Sequence, residues 1–452
     1  MQNGGNLEML LQFKVKNYKS FLEEAEFSME AAPKQKGLDY SLSNIKFKKR
    51  IIKGLSSSVI YGPNASGKTN VIGAMDTLRS IILRGNIRNA EEKGSPNPAS
   101  ELLELIPNNT LNNAKPVEFG ITFMENNFLI SYELVLELGM FLENEHERKI
   151  LRETLCVNES VIFTREEGLV VENLNVIKKY LSDTVDVNAD GIGQIAANSL
   201  NAEELFLMNG FKLLYSQNLV KMISKWFANK FMVICRADSL QLIKRFADPQ
   251  KTTVYIEKTT NQAAELFGIN SNAVGYVAGD DDTGAKLCSI FKDAKNKKIA
   301  TMAAELFESY GTIRFVTIFP LVLKAILTGG TLIVDEFDAS IHPMALMNII
   351  NIFHNDEINI HHAQLIFNTH NPIFLNSNIF RRDEIKFVER DDDTHLSVLY
   401  ALSDFGTTGD KGVRKHDDYM QHYFVSEYGA IKDIDFTPIF EEIMNQERGV
   451  ES

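Results

Sequence analysis

Cysteine is scarce in this chain. Only Cys156, Cys235 and Cys288 occur, far apart and in no CxxC or metal-ligand spacing. They read as buried or free thiols in a reducing compartment rather than as a metal site. Excess positive charge is missing too, the formal net charge being −13. A surface basic throughout is excluded, and nucleic-acid binding, if present, must use a local patch. No apolar run approaches the ~20 residues that span a membrane. The opening MQNGGNLEM lacks the basic and apolar regions of a leader, and the natural start is expected at Met9. No repeat and no sustained heptad pattern is visible. What remains is ordinary for a cytoplasmic globular protein: 452 residues, 44% hydrophobic and 24% charged, enough for one large domain with an insertion or for two or three small ones.

Two α/β stretches flank a long middle region. Leu10 to Val15 reads as a strand, followed by the turn-like Lys16-Asn17-Tyr18-Lys19-Ser20, with a second strand around Ala25 to Met29. Ser57 to Tyr61 is a β-prone run ending at a glycine loop, and Asn70 to Arg84 has helical periodicity. Asn86 to Asn113 reads as an exposed loop or lid. Val117 to Phe123 and Phe128 to Leu138 form a hairpin pattern that Arg152 to Val157 and Ser160 to Thr164 continue. Val176 to Glu308 reads as mostly helical, broken by the polar turn Gly279 to Gly284. In the last third, Phe315 to Leu327 and Met344 to Phe353 read as helices, and Gly330 to Val334 and Gln364 to Asn368 as buried strands. Glu384 to Val388 and Leu396 to Leu402 then make a hairpin.

The chemistry begins at Gly62-Pro63-Asn64-Ala65-Ser66-Gly67-Lys68-Thr69, a full match to GxxxxGK[ST]. Glycines let the backbone curl so that its N–H groups face phosphates, and the following helix adds its positive N-terminal dipole. Lys68 is expected to neutralise the β- and γ-phosphates of ATP, and the Thr69 hydroxyl to ligate Mg²⁺. A β-prone run before the loop and a helix after it set this apart from a chance match in a Gly/Ser loop.

A second half of such a site follows. Thr331 to Glu336 is a buried strand ending in two acids, at the strand edge where α/β sheets bind ligands. Asp335 would hold Mg²⁺ directly or through water, and Glu336 would position or deprotonate the attacking water. Alone this is also how an ordinary strand meets a polar turn; the phosphate loop makes it specific. The strand Leu365 to Asn368 delivers His370, which could contact the γ-phosphate, although an isolated histidine there would be a loop cap.

Together these residues resemble the ABC-type ATPases of the RecF, SMC and OLD kind, most of all the bacterial AAA-family proteins of phage-defence islands. Phe13 to Phe21 looks like their first strand, and Gly62 to Asn70 like their Walker A, including the Asn after the Thr. Ser309-Tyr310-Gly311-Thr312 resembles their shortened signature, and Asp335 to Pro343 their Walker B and D-loop. Thr369-His370-Asn371-Pro372 looks like their switch histidine, and Tyr423 to Ile434 their C-terminal segment. The resemblance implies an α/β fold with an ABC-type P-loop ATPase core, an antiparallel β subdomain and a mostly helical insertion. Residues 1–170 and 301–452 would be the two halves of the core, and 171–300 the insertion or lid. ATP and Mg²⁺ are the implied cofactors. The implied assembly is a homodimer or higher oligomer paired head to tail, with Ser309, Gly311 and Asp338 of one chain at the nucleotide of another. LSGGQ, the long coiled coil and a placeable Q-loop residue are missing, and the middle region matches only in its hairpin start.

The expected function is a slow ATP hydrolase that senses or scaffolds a separate effector in anti-phage defence. OLD-type nucleases, which the chain resembles, continue into a nuclease domain; here only Thr437 to Ser452 follow the ATPase-like segment. The middle region offers no HxxxH or CxxC pair. A partner nuclease of toprim-like or HNH-like fold is therefore expected, and no membrane. The rival is a RecF- or SMC-like DNA-binding ATPase in repair or tethering, which should show a basic lobe; a transporter ATPase fits least. Glu389 to Asp393 reads as a solvated hairpin tip rather than a nuclease metal cluster. Lys14, Lys16 and Lys19 with Tyr18 read as a strand edge, and Lys46 to Arg50 as an exposed hairpin. Trp226 and Phe227 read as core, His361 and His362 as loop residues, and His342, before Pro343, as a helix start.

Overall fold

Period-2 runs at both ends of the chain fold into sheets, and 3.6-period runs fold into the helices that cover them. The computed structural model describes residues 8–33, 35, 37–88, 103–110, 112, 114–143, 146–182, 189–235, 254–277, 286–292, 299–407, 412–414 and 417–450. The first part holds β1 (Met9–Lys16), β2 (Ala25–Ser28), β3 (Leu42–Phe47), β4 (Arg50–Leu55), β5 (Ser57–Tyr61) and α1 (Lys68–Arg84). Next come β6 (Val117–Glu125), β7 (Phe128–Glu137), β8 (Lys149–Val157), β9 (Ser160–Arg165) and β10 (Leu169–Val171). The middle holds α2 (Ala189–Asn198), a π-helical turn (Leu207–Phe211) running into α3 (Lys212–Leu214), α4 (Gln217–Asn229) and β11 (Phe231–Ile234). It continues with β12 (Val254–Tyr255), α5 (Lys258–Phe267), β13 (Ala273–Val277), β14 (Lys286–Lys292) and β15 (Ile299–Ala303). The last part is α6 (Tyr310–Thr328), β16 (Thr331–Val334), α7 (Pro343–Phe353), β17 (Gln364–Asn368), β18 (Ile385–Arg390), β19 (Ser397–Ala401), α8 (Tyr419–Phe424) and α9 (Thr437–Val450).

Two sheets carry the site. One is antiparallel, in the order β10-β9-β8-β7-β6-β1-β2. Its apolar face is set by alternation: Val117, Phe119, Ile121 and Phe123 of β6 are buried. Phe123 stacks on Trp226 of α4 at 3.9 Å between ring centroids, so Trp226 is core as expected. The other sheet runs β11-β16-β17-β5-β18-β19, its first five strands mutually parallel and β19 antiparallel. β5, β16 and β17 are buried along their whole length, as strands covered on both faces must be. Because they are parallel, the phosphate loop after β5, the acids after β16 and the histidine loop after β17 leave from one edge. Gln364 ties the sheets together: its amide bonds both the N–H and the carbonyl of Leu10 and the carbonyl of Leu55.

Among the described residues the middle holds more helix than strand, but it also carries strands that the sequence reading did not place. β11 is a core strand inside the stretch 171–300, and β12 to β15 form an antiparallel sheet of their own. Short apolar runs such as Phe231–Ile234 and Ala273–Val277 do not separate helix from strand by period, and neighbouring strands decide them. Glu308 anchors this small sheet to α6, accepting from Asn270 N–H (2.8 Å), Ser271 Oγ (2.6 Å) and Ser289 Oγ (2.9 Å). Burial works against its charge, but these donors win and hold the Glu308 carboxyl below its usual range. α6 is long and apolar enough, by length and composition, to cross a membrane. Arg314 and Lys324 interrupt its sequence, and its buried side includes Phe315, Val316 and Ile318 in the chain's own core. Most of the expected lid at Asn86 to Asn113, and the turn Gly279 to Gly284, lie outside the described residues.

Candidate nucleotide site

The phosphate loop is built on glycines that no other residue could replace. Gly62 has φ 153°, and a Cβ there would lie 2.2 Å from the Val388 carbonyl oxygen. Gly67 has φ 112°, and its Cβ would lie 2.8 Å from both Ser20 Oγ and Ser397 Oγ. Those two serines buttress the loop: Asn70 Nδ2 donates to Ser20 Oγ (2.8 Å), and Ser397 Oγ donates to the Ser66 carbonyl (2.6 Å). No side chain caps the N-terminus of α1, and Ser66 Oγ is buried without a partner among the described residues. Unsatisfied donors at a helix start suit an anion. Lys68 is buried and folds back onto the carbonyls of Gly62 and Pro63, each at 2.8 Å. Burial pushes its amine down to about 8, against the pull of Asp335, Glu336 and Asp338.

Across the strand edge, Thr69 Oγ1 donates to Asp335 Oδ1 at 3.1 Å, so the two expected Mg²⁺ ligands already face each other. A hydroxyl and a carboxylate are hard oxygen donors, the set a Mg²⁺ ion takes beside phosphates. Burial raises the Asp335 carboxyl, while hydrogen bonds from Asn368 and Thr69 oppose the rise. Asn368 donates to Asp335 Oδ1 through Nδ2 and accepts the Glu336 N–H through Oδ1. Arg314 of α6 donates to the carbonyls of Asp335 and Glu336. These bonds hold Glu336 at φ 50°, in the left-handed region, with its side chain exposed.

Sequence reasoning missed Asn368 and Arg314. Each did leave a trace: a polar residue ending the apolar run Leu365 to Phe367, and a lone buried arginine in an apolar helix. Asn368→Leu keeps the branched heavy-atom outline but removes both bonds. We expect ATP turnover to fall about 10- to 100-fold, the usual cost of losing a residue that orients metal ligands. Steady-state phosphate release measures this, and a loss under about twofold would show that Asn368 does not orient the acids.

The remaining residues form a second group. Ser309 caps α6, accepting from Thr312 N–H at 3.1 Å, and is exposed. A Cβ on Gly311 would lie 2.2 Å from the Ser340 carbonyl, so the helix start seats directly on the 336–340 turn. Asp338 accepts from Thr369 Oγ1 at 2.7 Å, and Thr369 Oγ1 accepts the Asn371 N–H at 2.9 Å. His370, exposed between them, has its imidazole shifted down by partial desolvation and the Lys68 charge. Among the described residues, no hydrogen bond joins Ser309 or Gly311 to residues 62–70.

The other candidates have structural partners. Asp391 caps the tip of the β18–β19 hairpin through Thr394 N–H (2.7 Å). Lys14 pairs with Glu24 and Glu26, Lys16 with Glu118, and Lys19 with Glu104. Lys48 and Arg50 both meet Glu159. Tyr18 is buried. His342 Nδ1 accepts from Met344 N–H at the start of α7, and His362 Nδ1 meets Ser43 Oγ at 2.9 Å.

A sequence family described as "AAA domain, putative AbiEii toxin, Type IV TA system" matches residues 57–165 and 234–376, more than half of the chain. No curated protein matches it. Among solved structures, the SMC head domain from Thermotoga maritima is 14% identical with TM-score 0.35, covering 87% of this chain and 98% of that one. An Smc head domain with coiled coil and joint derived from Pyrococcus yayanosii is 11% identical with TM-score 0.37, covering 88% and 98%. The recombination mediator RecF with ATP is 10% identical with TM-score 0.33, covering 89% and 100%.

Proposed function

Because this chain belongs to the AAA-domain family of AbiEii type, we propose that it is an ABC-type ATPase whose Mg²⁺-ATP cycle controls a separate effector protein. The observation that carries this reading is the hydrogen-bonded line from Thr69 through Asp335 and Asn368 to Glu336, beside an uncapped helix start. Bound Mg²⁺-ATP would supply a phosphoryl group open to attack by water. Lys68 would exchange its loop carbonyls for phosphate oxygens, and Thr69 and Asp335 would hold the cation. Glu336, exposed on a pinned backbone, would take the proton of the attacking water.

The exposed Ser309, seated with Gly311 on its own chain's 336–340 turn, supports a site completed in trans. Ser309, Gly311 and Asp338 of one chain would then close over the nucleotide of another, with His370 at the γ-phosphate. The family's description names a putative toxin of a Type IV TA system. An effector nuclease in anti-phage defence, in the cytoplasm, is the form of this reading we favour. The DNA-tethering rival draws no support from Lys14, Lys16 and Lys19, which sit in ion pairs; in the run Lys46 to Arg50, Lys48 and Arg50 share the one carboxylate of Glu159.

Incubating the purified chain with Mg²⁺ or Mn²⁺, ATP, plasmid DNA and total RNA tests the division of labour. We expect ATP turnover without nucleic-acid cleavage. Cleavage that persists in Lys68→Ala through repeated purification would place the nuclease in this chain and remove the need for a separate one.

A further inference from the structure

The β18–β19 hairpin grips the back of the phosphate loop at three points. The Val388 carbonyl oxygen packs so close to Gly62 that a Cβ there would lie 2.2 Å from it. Arg390 Nη1 donates to the Ala65 carbonyl at 3.3 Å, and the buried Ser397 Oγ donates to the Ser66 carbonyl at 2.6 Å. Arg390 and Ser397 are direct cross-strand partners, so their side chains share one face of the hairpin. They take two consecutive carbonyls, in a loop whose Ala65 sits at φ 62°, a costly angle for a residue with a side chain. Arg390 Nε closes the hairpin on the His395 carbonyl at 3.0 Å, and its second bond to Ala65 is not needed for that.

The peptide unit carries these contacts through to the front of the loop. It is planar and trans, so its carbonyl and its N–H point in opposite directions. Holding the Ala65 and Ser66 carbonyls to the hairpin therefore aims the N–H groups of Ser66 and Gly67 away from it. The Ser66 N–H makes only a long turn bond to the Pro63 carbonyl (3.3 Å), and the Gly67 N–H makes none among the described residues. We propose that Ser397 and Arg390 are positioning residues for phosphate binding. They fix the two peptide units whose N–H groups receive the phosphates of the nucleotide. Each acts through the loop backbone. The proposal rests on the nucleotide reading of this loop and names the element that sets its affinity.

The test measures ADP affinity and ATP turnover in Ser397→Ala, Arg390→Met and Arg390→Lys. Backbone contacts to phosphates are made alike in the bound and reacting states, so losing their aim raises KM and spares kcat. Ser397→Ala should raise the ADP Kd and the ATP KM together by about tenfold, in the range for a hydrogen bond to a charged group. Arg390→Met should raise both by about threefold, because its bond is longer and exposed. Arg390→Lys keeps a donor for Ala65 and should recover most of that loss. Melting without nucleotide reads the alternative, in which these bonds only close the hairpin. A lower melting temperature with Kd and KM at parental values overturns the proposal. So does a fall in kcat at unchanged KM, or parental ADP affinity in either folded variant. If Ser397→Ala does not fold, Arg390→Met decides by the same criteria. A parent chain that binds no ADP sinks the nucleotide reading itself, and the proposal with it.

Discussion

Glu336→Gln should cut ATP turnover by about 10²- to 10⁴-fold while leaving nucleotide bound, the range for loss of a positioned general base. The reasoning is local. The hydrogen bonds that shape this residue use its backbone: its N–H donates to Asn368 and its carbonyl accepts from Arg314. The side chain is exposed and free of these restraints, so a glutamine keeps the φ 50° backbone and the Asp335–Thr69 contact. What it loses is the ability to take a proton. Thermal unfolding of the variant should match the parent, and single-turnover experiments should find ATP retained. A variant as active as the parent would remove Glu336 from the chemistry.

Lys68→Ala should weaken ATP binding by about 100-fold, roughly two charge-assisted hydrogen bonds at 1.5–3 kcal/mol each, partly offset by solvation. It should also abolish a pH dependence that the parent shows. The parent amine, pushed down to about 8 by burial, is charged at pH 7 and loses its charge as pH rises through that value. Phosphate recognition needs the charged form. Affinity should therefore hold up to about pH 8 and then fall roughly tenfold per pH unit, with proton uptake on binding. The unbound protein gains little from this ammonium, because burial disfavours it. Folding stability of Lys68→Ala at pH 7 should accordingly stay close to the parent. Titration of a fluorescent ATP analogue between pH 7 and 9.5 separates the outcomes. An equally steep fall in Lys68→Ala would assign the titration to another group.

Where function depends on residues adjacent in sequence, the chain could be read directly. The phosphate loop, the acids after β16 and the strand before His370 are contiguous, and each is flagged by its own short motif at the end of an apolar run. The links between them were hidden. Asn368 meets Asp335 across 33 positions and Arg314 meets Glu336 across 22, through contacts that exist only once β16, β17 and α6 are side by side. Gly311 illustrates the same point: resemblance singled it out, but its physical need, the Ser340 carbonyl at 2.2 Å from any Cβ, belongs to the folded chain. The strands of the middle region were missed for another reason. β11 and β13 are runs of four and five residues, too short for period to tell a strand from a buried helical turn. Partner strands settled them. Glu308, next to Ser309, belongs to no motif, yet it fixes the small sheet to the start of α6.

A site completed by two chains is the central claim, and mixing defective chains tests it most directly. Lys68→Ala removes the phosphate amine from one kind of chain, and Ser309→Arg blocks the exposed start of α6 in the other. Each alone should be inactive. Mixed in equal amounts, they should recover turnover, because a pair of unlike chains contains one intact Lys68 facing one intact Ser309. About a quarter of parental turnover is expected if half the pairs are mixed and each holds one working site. No recovery from a mixture shown by light scattering to form mixed pairs, or a chain that stays monomeric with ATP and Glu336→Gln, would contradict the account.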